Sequence, residues 1–406
     1  MKLVFYTNLV SPHTVPLAVE LRKLVGSFLY VYQNHGGEPF RTQMALDPIK
    51  DCAICEADVQ EQARTILREC DVLLTGVRDF GLMQDRIEMG LLTFYQSERW
   101  FKPICLTAIS DSENARGGIW MSGFWKNILP FAFRRARRIV RLMQSDLFVY
   151  LPIGVHAAED MARLCGVFSG DLRCLFRAPK LNFERRAGGK LWLADDNVGA
   201  EKRYCLERMR IWGYYVSQSN NRLTQKSGQD GATGGILRVL WVGRLLNLKR
   251  VDVIIRAVIE FVKIGCADSS FPKITLDIYG GGPEEDRLRD MACGYEDIIK
   301  FFPSVSISEV RKIMRDHDVY VLSSNAFEGW GAVVSEALEE GMKVIGTYES
   351  GASATMLPDS NLFHAGDWRA LLSILQGPIG EVSIGEWSVR NAAMILAGLL
   401  NQGDCQ

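Results

Sequence analysis

The stretch that decides the fold is Phe327-Glu328-Gly329-Trp330-Gly331-Ala332-Val333-Val334-Ser335-Glu336-Ala337. It follows Val319–Ser324, an apolar run of strand length, and its glycine turn leads into an apolar run with helical spacing. Strand, glycine turn and helix in this order are how α/β proteins present a helix N-terminus to a phosphate. Two carboxylates, Glu328 and Glu336, bracket the turn, and the second suits a sugar diol better than a phosphate. The stretch therefore predicts a nucleotide-sugar site.

The size and composition of the chain predict two globular domains. Its 406 residues exceed one ordinary core, and 48% hydrophobic with 23% charged residues is typical of globular proteins. The net charge of −1 indicates no particular partner, and no nucleic acid is expected. The charge is uneven along the chain, however, because residues 1–216 carry +5 and residues 217–406 carry −6. The first half could therefore face an anionic substrate or a membrane. Met1–Tyr6 is expected to be a first strand rather than a signal peptide, and no apolar run approaches the ~18 residues of a membrane span. We expect a cytoplasmic protein, peripheral to the membrane if it meets one.

Apolar runs of strand length alternate with helical patterns along the whole chain, which is typical of parallel sheets. The polar, glycine-rich segment 217–235 is the best candidate for a linker. It separates a first domain, 1–216, from a second domain, 236–385, and residues 386–406 form a last helix that could pack back on the first domain. We expect an α/β fold of two doubly wound, Rossmann-like domains that face each other across a cleft.

The individual elements follow from the same patterns. Strands are predicted at Lys2–Tyr6, Phe28–Tyr32, Val72–Thr75, Ile104–Thr107, Leu147–Leu151, Leu237–Val242, Ile274–Tyr279, Ile298–Phe302, Val319–Ser323 and Lys343–Gly346. Helices are predicted at Val15–Leu24, Val251–Val262, Glu284–Cys293 and Ser308–Arg315, near Gly331, from Asp367, and at Glu386–Leu400.

Two cations lie on a loop at the carboxyl end of a predicted strand in the second domain. The strand ends at Gly243, so Arg244 and Lys249 occupy the edge where open α/β sheets bind ligands. Two cations and a helix N-terminus can neutralise a diphosphate without a metal, although two solvated loop cations would give the same pattern. The run Gly280–Pro283 also follows a strand, but it lacks the G-x-G-x-x-G spacing and a tight turn would explain it equally well.

Two short patterns that can bind metals are set aside. Cys52 and Cys55 form a lone C-x-x-C, with no second pair and no histidine at finger spacing, so reduced and packed cysteines are expected. Asp316-His317-Asp318 has D-x-D spacing but lies at a helix end, where such residues cap and turn the chain. We therefore expect no metal and no cofactor apart from a nucleotide diphosphate sugar as donor substrate.

Three motifs of the second domain together resemble glycosyltransferase family 4. In order they are VGRLLNLKRVD (242–252), LDIYGGGPEEDRL (276–288) and HDVYVLSSNAFEGWGAVVSEALEEGMKVI (317–345). That family consists of retaining, metal-independent enzymes with the GT-B fold. The resemblance implies a glycosyltransferase that moves a sugar from a nucleotide diphosphate sugar to a saccharide or lipid-linked acceptor in polysaccharide biosynthesis.

The resemblance also implies a role for each matched residue. Arg244 and Lys249 become catalytic ligands of the donor diphosphate, Glu328 lies beside the transferring sugar, and Glu336 binds the ribose hydroxyls. The turn Gly329-Trp330-Gly331 brings backbone N–H groups to sugar and phosphate. The other implied donor-binding residues are Gly243, Gly281 and Val305, the last in a loop of the kind that often recognises the base. The chain departs from the family at Arg250, Trp330 and Lys343, where Gly, Phe and Pro are common, and none of these departures removes a charged group of the site.

The first domain resembles a bacterial surface-polysaccharide branch of the family, with a shorter match. A histidine, His13, precedes a Pro-Leu helix start, and the run 97–102 reads SERWFK. His13 could orient an acceptor hydroxyl or touch donor phosphate, and it could equally cap or pack against a helix. Glu98 could bind acceptor or donor, or pair with Arg99 or Lys102.

Residues 119–144 combine aromatic and basic side chains. Ile119–Trp125 is aromatic, and Phe131–Gln144 carries five arginines. Such a segment can lie on an anionic membrane surface, which would suit a lipid-linked acceptor. The alternative is an amphipathic surface helix whose apolar side joins the core.

Two other functions fit the same two-domain plan. An epimerase or a phosphorylase would also hold a nucleotide sugar or a phosphate in the cleft, and a reaction of the donor alone would favour it. A non-catalytic nucleotide-sugar-binding protein would bind the donor without turnover.

Overall fold

A computed structural model describes residues 1–34, 46–99, 129–171, 174, 180–194, 205–216, 235–265 and 272–402. The chain divides into two compact units, Met1–Ser217 together with Ser388–Gln406, and Gln218–Trp387. The division falls at the start of the expected linker, of which residues 217–234 lie outside the described part. The expected strand Ile104–Thr107 also lies outside it.

The first unit is built on a parallel six-stranded sheet with the order β3-β2-β1-β4-β5-β6. Its central strands are buried on both faces, which is why they appear in the sequence as continuous apolar runs. The strands are β1 (Lys2–Thr7), β2 (Ser27–Tyr32), β3 (Ala53–Cys55), β4 (Val72–Thr75), β5 (Leu92–Ser97) and β6 (Phe148–Pro152).

Strand β5 was not predicted because polar residues interrupt its apolar pattern. Thr93, Gln96 and Ser97 are all buried in it. The hydroxyl of Thr93 accepts a hydrogen bond from the buried Arg86 (3.1 Å), and that of Ser97 shares one with Tyr150 (2.8 Å). These partners offset the cost of burying the hydroxyls, so the strand forms despite its composition. The three-residue strand β3 was also missed, because it is too short to show a pattern.

The helices of the first unit follow the strands as in a doubly wound fold. They are α1 (Val15–Leu24), α2 (Gln60–Glu69), α3 (Phe80–Glu88), α4 (Leu129–Leu142) and α5 (Val155–Phe168), and a small antiparallel hairpin joins β7 (Leu181–Phe183) to β8 (Leu191–Leu193). The C-terminal helix, Val389–Gln402, packs against α1, and a bridge pairs Ser388 with Val216. The end of the chain is therefore part of the first unit.

The second unit repeats the same plan. Its parallel sheet has the order β11-β10-β9-β12-β13-β14, from β9 (Ile236–Val242), β10 (Lys273–Tyr279), β11 (Ile299–Phe302), β12 (Val319–Leu322), β13 (Lys343–Thr347) and β14 (Leu362–Phe363). Its helices are α6 (Val251–Gly265), α7 (Glu285–Met291), α8 (Ile307–Arg315), α9 (Val333–Glu339), α10 (Gly351–Met356) and α11 (Trp368–Gln376). The sequence did not predict β14 and α10, which are short.

The strand order fixes where a ligand can bind in each unit. In both sheets the first three strands are added toward one edge, and the next three are added on the other side of the first strand, toward the opposite edge. The strand order therefore reverses between β1 and β4 and between β9 and β12. Loops diverge at such a switch point and leave a crevice at the carboxyl ends of the strands. The prediction of two doubly wound α/β domains is confirmed.

Arg250 adopts an unusual backbone conformation. It has φ +47°, and it is the one non-glycine residue with positive φ in the described part of the chain. Its side chain pairs with Asp252 at 3.1 Å. The left-handed region is where glycine has no steric penalty, so glycine would be the least strained residue at this position.

We expect Arg250→Gly to be more stable than Arg250→Ala by about 1 kcal/mol. Both variants lose the ion pair with Asp252, so their difference isolates the backbone term. Urea unfolding of the two proteins measures it, and equal unfolding free energies would show that the left-handed backbone carries no cost here.

Candidate functional site

The predicted site of the second unit forms at its switch point. Gly243 and Arg244 follow β9, and Glu328 lies on the loop that follows β12. These two strands are neighbours, with Tyr320 paired to Leu240. The sheet order therefore brings together loops that are far apart in the sequence.

An ion pair joins the two loops. Lys249 Nζ donates to Glu328 Oε2, and the two side chains are only 21% and 13% exposed. Partial burial reduces solvent screening, so the attraction is stronger than on an open surface. The backbone around Lys249 is fixed as well, because Ser323 Oγ donates to the Lys249 carbonyl (2.7 Å) and Asn325 N donates to the Leu248 carbonyl (2.9 Å).

Arg244 and Glu336 differ from this pair. Arg244 is exposed, and Glu336 is half-buried in the first turn of α9. Within the described residues, neither side chain makes an ion pair or a hydrogen bond. A cation and a carboxylate beside a crevice, with hydrogen-bonding capacity that the described residues leave unused, can interact with a ligand.

Tyr320 is a buried residue of β12 that feels the charge of both carboxylates, and its sequence pattern indicates only a core position. Its hydroxyl donates to the Val242 carbonyl at 3.4 Å, next to Gly243. Burial raises the pKa of Tyr320 far above its usual value, and the negative charges of Glu328 and Glu336 raise it further. Both carboxylates therefore act electrostatically on one buried hydroxyl.

The glycine turn between the carboxylates is held from one side. The carbonyl of Gly329 accepts from Gly351 N (3.2 Å), and that of Trp330 accepts from Ala352 N (2.7 Å). Gly331 has φ +82°, and a Cβ there would lie 3.0 Å from both Leu322 and Ser350. The amide groups of Gly329 and Gly331 donate no hydrogen bond to any residue that the structure describes. They are free to meet a ligand.

Two details of the turn sharpen the sequence-based expectation. Trp330 is only 3% exposed, so its indole packs in the interior and is not available to a ligand. Helix α9 begins at Val333 and has seven residues, so the dipole at its N-terminus is that of about two turns. Most of the positive charge at the site therefore comes from Arg244 and Lys249.

The glycine run after β10 supports the Arg244 loop. A Cβ on Gly280 would lie 1.8 Å from the Gly243 carbonyl oxygen, and one on Gly282 would lie 2.4 Å from the Leu245 carbonyl oxygen. The amide of Leu245 donates to the carbonyl of Gly281 at 3.0 Å. Close backbone approach thus explains why positions 280 and 282 are glycine, whereas position 281 has room for a side chain. Gly281 and Val305 follow β10 and β11, at the same edge of the sheet as Gly243.

The two patterns set aside as metal sites have structural partners. His317 contacts Asp277 (3.1 Å) and the Ile313 carbonyl (2.7 Å), and Asp318 pairs with Arg238 (2.9 Å). Cys52 and Cys55 are reduced, and their thiols donate to the carbonyls of Ile49 (3.3 Å) and Gln33 (3.9 Å). Across the described ranges, no three His, Cys, Asp or Glu side chains group closely enough to hold a metal ion.

In the first unit, a tyrosine joins the two predicted site residues. The rings of His13 and Tyr214 lie 5.3 Å apart, and Tyr214 Oη donates to Glu98 Oε1 at 3.1 Å. Burial, together with the charge of Glu98, raises the pKa of Tyr214. Arg99 faces Asp160 at 3.5 Å, and Lys102 is outside the described ranges. Sequence reasoning missed Tyr214 because it lies 116 residues from Glu98.

The described part of the basic segment is helix α4. Ile139, Val140, Leu142 and Met143 are buried, and the helix packs on α3 and α5. The apolar side of α4 thus joins the core, and its exposed arginines are Arg134, Arg137, Arg138 and Arg141. Residues 119–128 are outside the described part. None of the helices formed by the described residues has the length and apolar character needed to cross a membrane.

Comparisons with known proteins find relatives of the second unit. Residues 227–375 match the family described as glycosyl transferases group 1, so the second unit contains a group 1 glycosyltransferase domain. The UDP-N-acetylglucosamine–peptide N-acetylglucosaminyltransferase GtfA subunit of Streptococcus pneumoniae is 30% identical over 134 residues, which are 30% of this chain and 25% of that protein. The chain thus aligns with about a quarter of this relative's length.

Solved structures extend the similarity to the whole fold. HepE from Anabaena, solved in complex with UDP, has a TM-score of 0.57 and 14% identity, with 99% of this chain and 100% of that chain covered. A trehalose-6-phosphate synthase has a TM-score of 0.55 and 11% identity, with 99% of each chain covered. The fold is GT-B, as the resemblance implied.

Replacing Tyr214 with Phe should keep the ring against His13 and remove the hydrogen bond to Glu98. We expect the unfolding free energy at pH 8 to fall by about 1–2 kcal/mol. Because the pKa of Tyr214 is raised in the folded state, the unfolded state loses its proton first, near pH 10. The unfolding free energy of the wild type should therefore decrease as the pH rises above about 10. That of the variant should decrease less over the same pH range.

Urea unfolding at several alkaline pH values measures both effects. Tyr295→Phe, at a half-buried tyrosine of the second unit, is the matched control. Identical pH dependence in wild type and Tyr214→Phe would mean that this hydroxyl is not the group that titrates.

Proposed function

We propose that this protein is a retaining, metal-independent glycosyltransferase. It moves a sugar from a nucleotide diphosphate sugar to a saccharide or lipid-linked acceptor in polysaccharide biosynthesis. The observation that carries the proposal is the Lys249–Glu328 ion pair at the switch point of a group 1 glycosyltransferase domain, with Arg244 and Glu336 beside it.

The comparisons support the donor class and the stereochemistry. HepE was solved with UDP, and the trehalose-6-phosphate synthase structure is described as concerning glycosyl transfer with retention. The GtfA relatives are named for transfer from UDP-N-acetylglucosamine. UDP-sugars are therefore the first donors to test.

Charge stabilisation is the main task of the residues at the site. When the bond between the anomeric carbon and the diphosphate oxygen breaks, negative charge develops on the diphosphate. Arg244 and Lys249 stabilise that charge, and the amides of Gly329 and Gly331 add hydrogen-bond donors. In this mechanism the positive charge is supplied by side chains and not by a metal ion.

The two carboxylates have separate tasks. Glu328, fixed by Lys249, accepts hydrogen bonds from hydroxyls of the transferring sugar, and Glu336 accepts them from the ribose. Because the ion pair already holds Lys249 and Glu328 in place, little reorganisation is needed when the donor binds.

Gly243, Gly281 and Val305 line the same edge of the sheet and contribute backbone groups to the donor site. In the first unit, His13, Glu98 and Tyr214 hold the acceptor.

A thermal-shift screen of nucleoside diphosphates and nucleotide sugars tests the donor class. A ligand that binds only the folded protein raises its melting temperature by mass action, so the largest shift identifies base and sugar together. We expect a UDP-sugar to give it. A protein that is active yet shows no shift with any nucleotide sugar would contradict the proposal, and so would epimerisation of the donor without an acceptor.

Arg244→Ala and Lys249→Ala should each lower kcat for transfer about 10²-fold or more and raise the KM for donor much less. The reason is that their charges act most strongly on the developing negative charge. Lys343→Ala is the matched control, because this exposed lysine lies at the amino end of β13, the opposite edge of the sheet. An unchanged kcat in both site variants would refute the charge role.

The basic face of α4 is proposed to meet an anionic membrane surface, with the protein in the cytoplasm. The arginines on its exposed side attract anionic lipid, and its buried apolar side leaves electrostatics as the driving force. We expect retention on phosphatidylserine vesicles, no retention on neutral ones, and release at about 0.5 M salt. Equal retention of the Arg137→Glu/Arg138→Glu variant would rule out this helix as the contact.

A further inference from the structure

The first unit contains a polar pocket whose lining residues belong to neither the donor site nor the acceptor residues described above. Its volume is about 720 Å³, and its walls include Gln33, Asn34, Glu56, Gln60, Arg64 and Thr65. Gln33 and Asn34 follow β2, Glu56 follows β3, and the other three lie on α2. The pocket is therefore at the carboxyl ends of two parallel strands, the edge where α/β sheets bind ligands.

The pocket adjoins the loop that carries His13. The amide of Gln33 donates to the Thr7 carbonyl (3.0 Å), and that of Asn34 donates to the Asn8 carbonyl (3.4 Å). These bonds continue the pairing of β1 with β2 beyond the end of the sheet. One wall of the pocket is thus attached to the start of the loop from Thr7 to His13.

The base of the pocket is a fixed carboxylate. Glu56 is 8% exposed, accepts a hydrogen bond from the buried Tyr6 hydroxyl, and pairs with Arg64 at 2.9 Å. Gln33 Nε2 also donates to Tyr6 Oη at 3.0 Å, and Arg64 reaches Asp79 at 2.5 Å. These polar groups are held in place before any ligand arrives.

The rim of the pocket offers hydrogen bonds that the protein does not use. Asn34 and Gln60 are exposed, and neither side chain bonds to another residue in the described ranges. Each amide group has donors and acceptors close together, as a hydroxyl does. The Thr65 hydroxyl donates to the Glu61 carbonyl (3.1 Å), which leaves its oxygen able to accept.

The charges of the pocket select against an anion. Glu56, Glu61 and Arg64 give it a formal charge of −1, and Arg64 is already paired with two carboxylates. A phosphate or nucleotide would meet net repulsion, whereas an uncharged ligand rich in hydroxyls finds donors and acceptors on several sides.

We infer that this pocket binds an uncharged saccharide. Its role as the subsite for the part of the acceptor that lies beyond the sugar receiving the transfer rests on the proposed function. The inference that a saccharide binds in this pocket does not depend on the proposed function.

The test measures binding of three neutral trisaccharides, maltotriose, cellotriose and N,N′,N″-triacetylchitotriose, by saturation-transfer NMR and calorimetry. Glucose 6-phosphate and sialyllactose are the anionic probes. The variant is Asn34→Ala/Gln60→Ala, which removes two exposed amides, and Gln62→Ala on the same helix is the matched control. Glu56→Gln keeps an acceptor for Tyr6 and removes the charge. UDP-sugar binding is measured in parallel on every protein.

At least one neutral trisaccharide should bind the wild type, more tightly than the anionic probes. The double variant should bind it about tenfold more weakly, because two hydrogen bonds are lost. UDP-sugar binding should not change. Absence of binding by all three neutral probes, tighter binding of the anionic ones, or equal binding by the double variant would overturn the inference. A protein that binds trisaccharide but no nucleotide sugar would refute the proposed function and leave the pocket a saccharide site.

Discussion

The Lys249–Glu328 ion pair is the interaction on which the donor site depends. Its two residues lie 79 positions apart, and they meet only because β9 and β12 are neighbours at the point where the sheet order reverses. Hydrogen bonds from the Ser323 hydroxyl and the Asn325 amide hold the Lys249 turn against the loop that carries Glu328. A half-buried pair of this kind fixes two side chains in one geometry, which a flexible surface pair cannot do.

The two units share a strand order but use their switch points differently. In the second unit, glycines at 280 and 282 let two loops approach so closely that any side chain would collide with backbone oxygen. In the first unit, larger polar side chains fill the corresponding edge, with Tyr214 between His13 and Glu98 and with Glu56 between Tyr6 and Arg64. The edge of the second unit suits a diphosphate bound near backbone amides. The edge of the first unit suits hydroxyl groups bound near side chains.

Much of the second unit could be predicted from the sequence, because its strands are continuous apolar runs and its charged residues follow strand ends. The first unit was harder to predict. The polar residues of β5 hid that strand, since their hydrogen-bond partners, Arg86 and Tyr150, are not visible in a local pattern. Tyr214 and Tyr320 were missed for a similar reason, because an aromatic residue in a buried segment gives no sign of the carboxylate it meets. The burial of Trp330, too, depends on tertiary packing rather than on the glycines beside it.

The most direct test of this account is a crystal structure of the protein with an intact UDP-sugar. We expect the diphosphate oxygens to lie about 2.7–3.2 Å from Arg244 and Lys249, the ribose hydroxyls to bind Glu336, and a sugar hydroxyl to bind Glu328. A diphosphate bound away from both Arg244 and Lys249, with Glu336 in solvent, would contradict it.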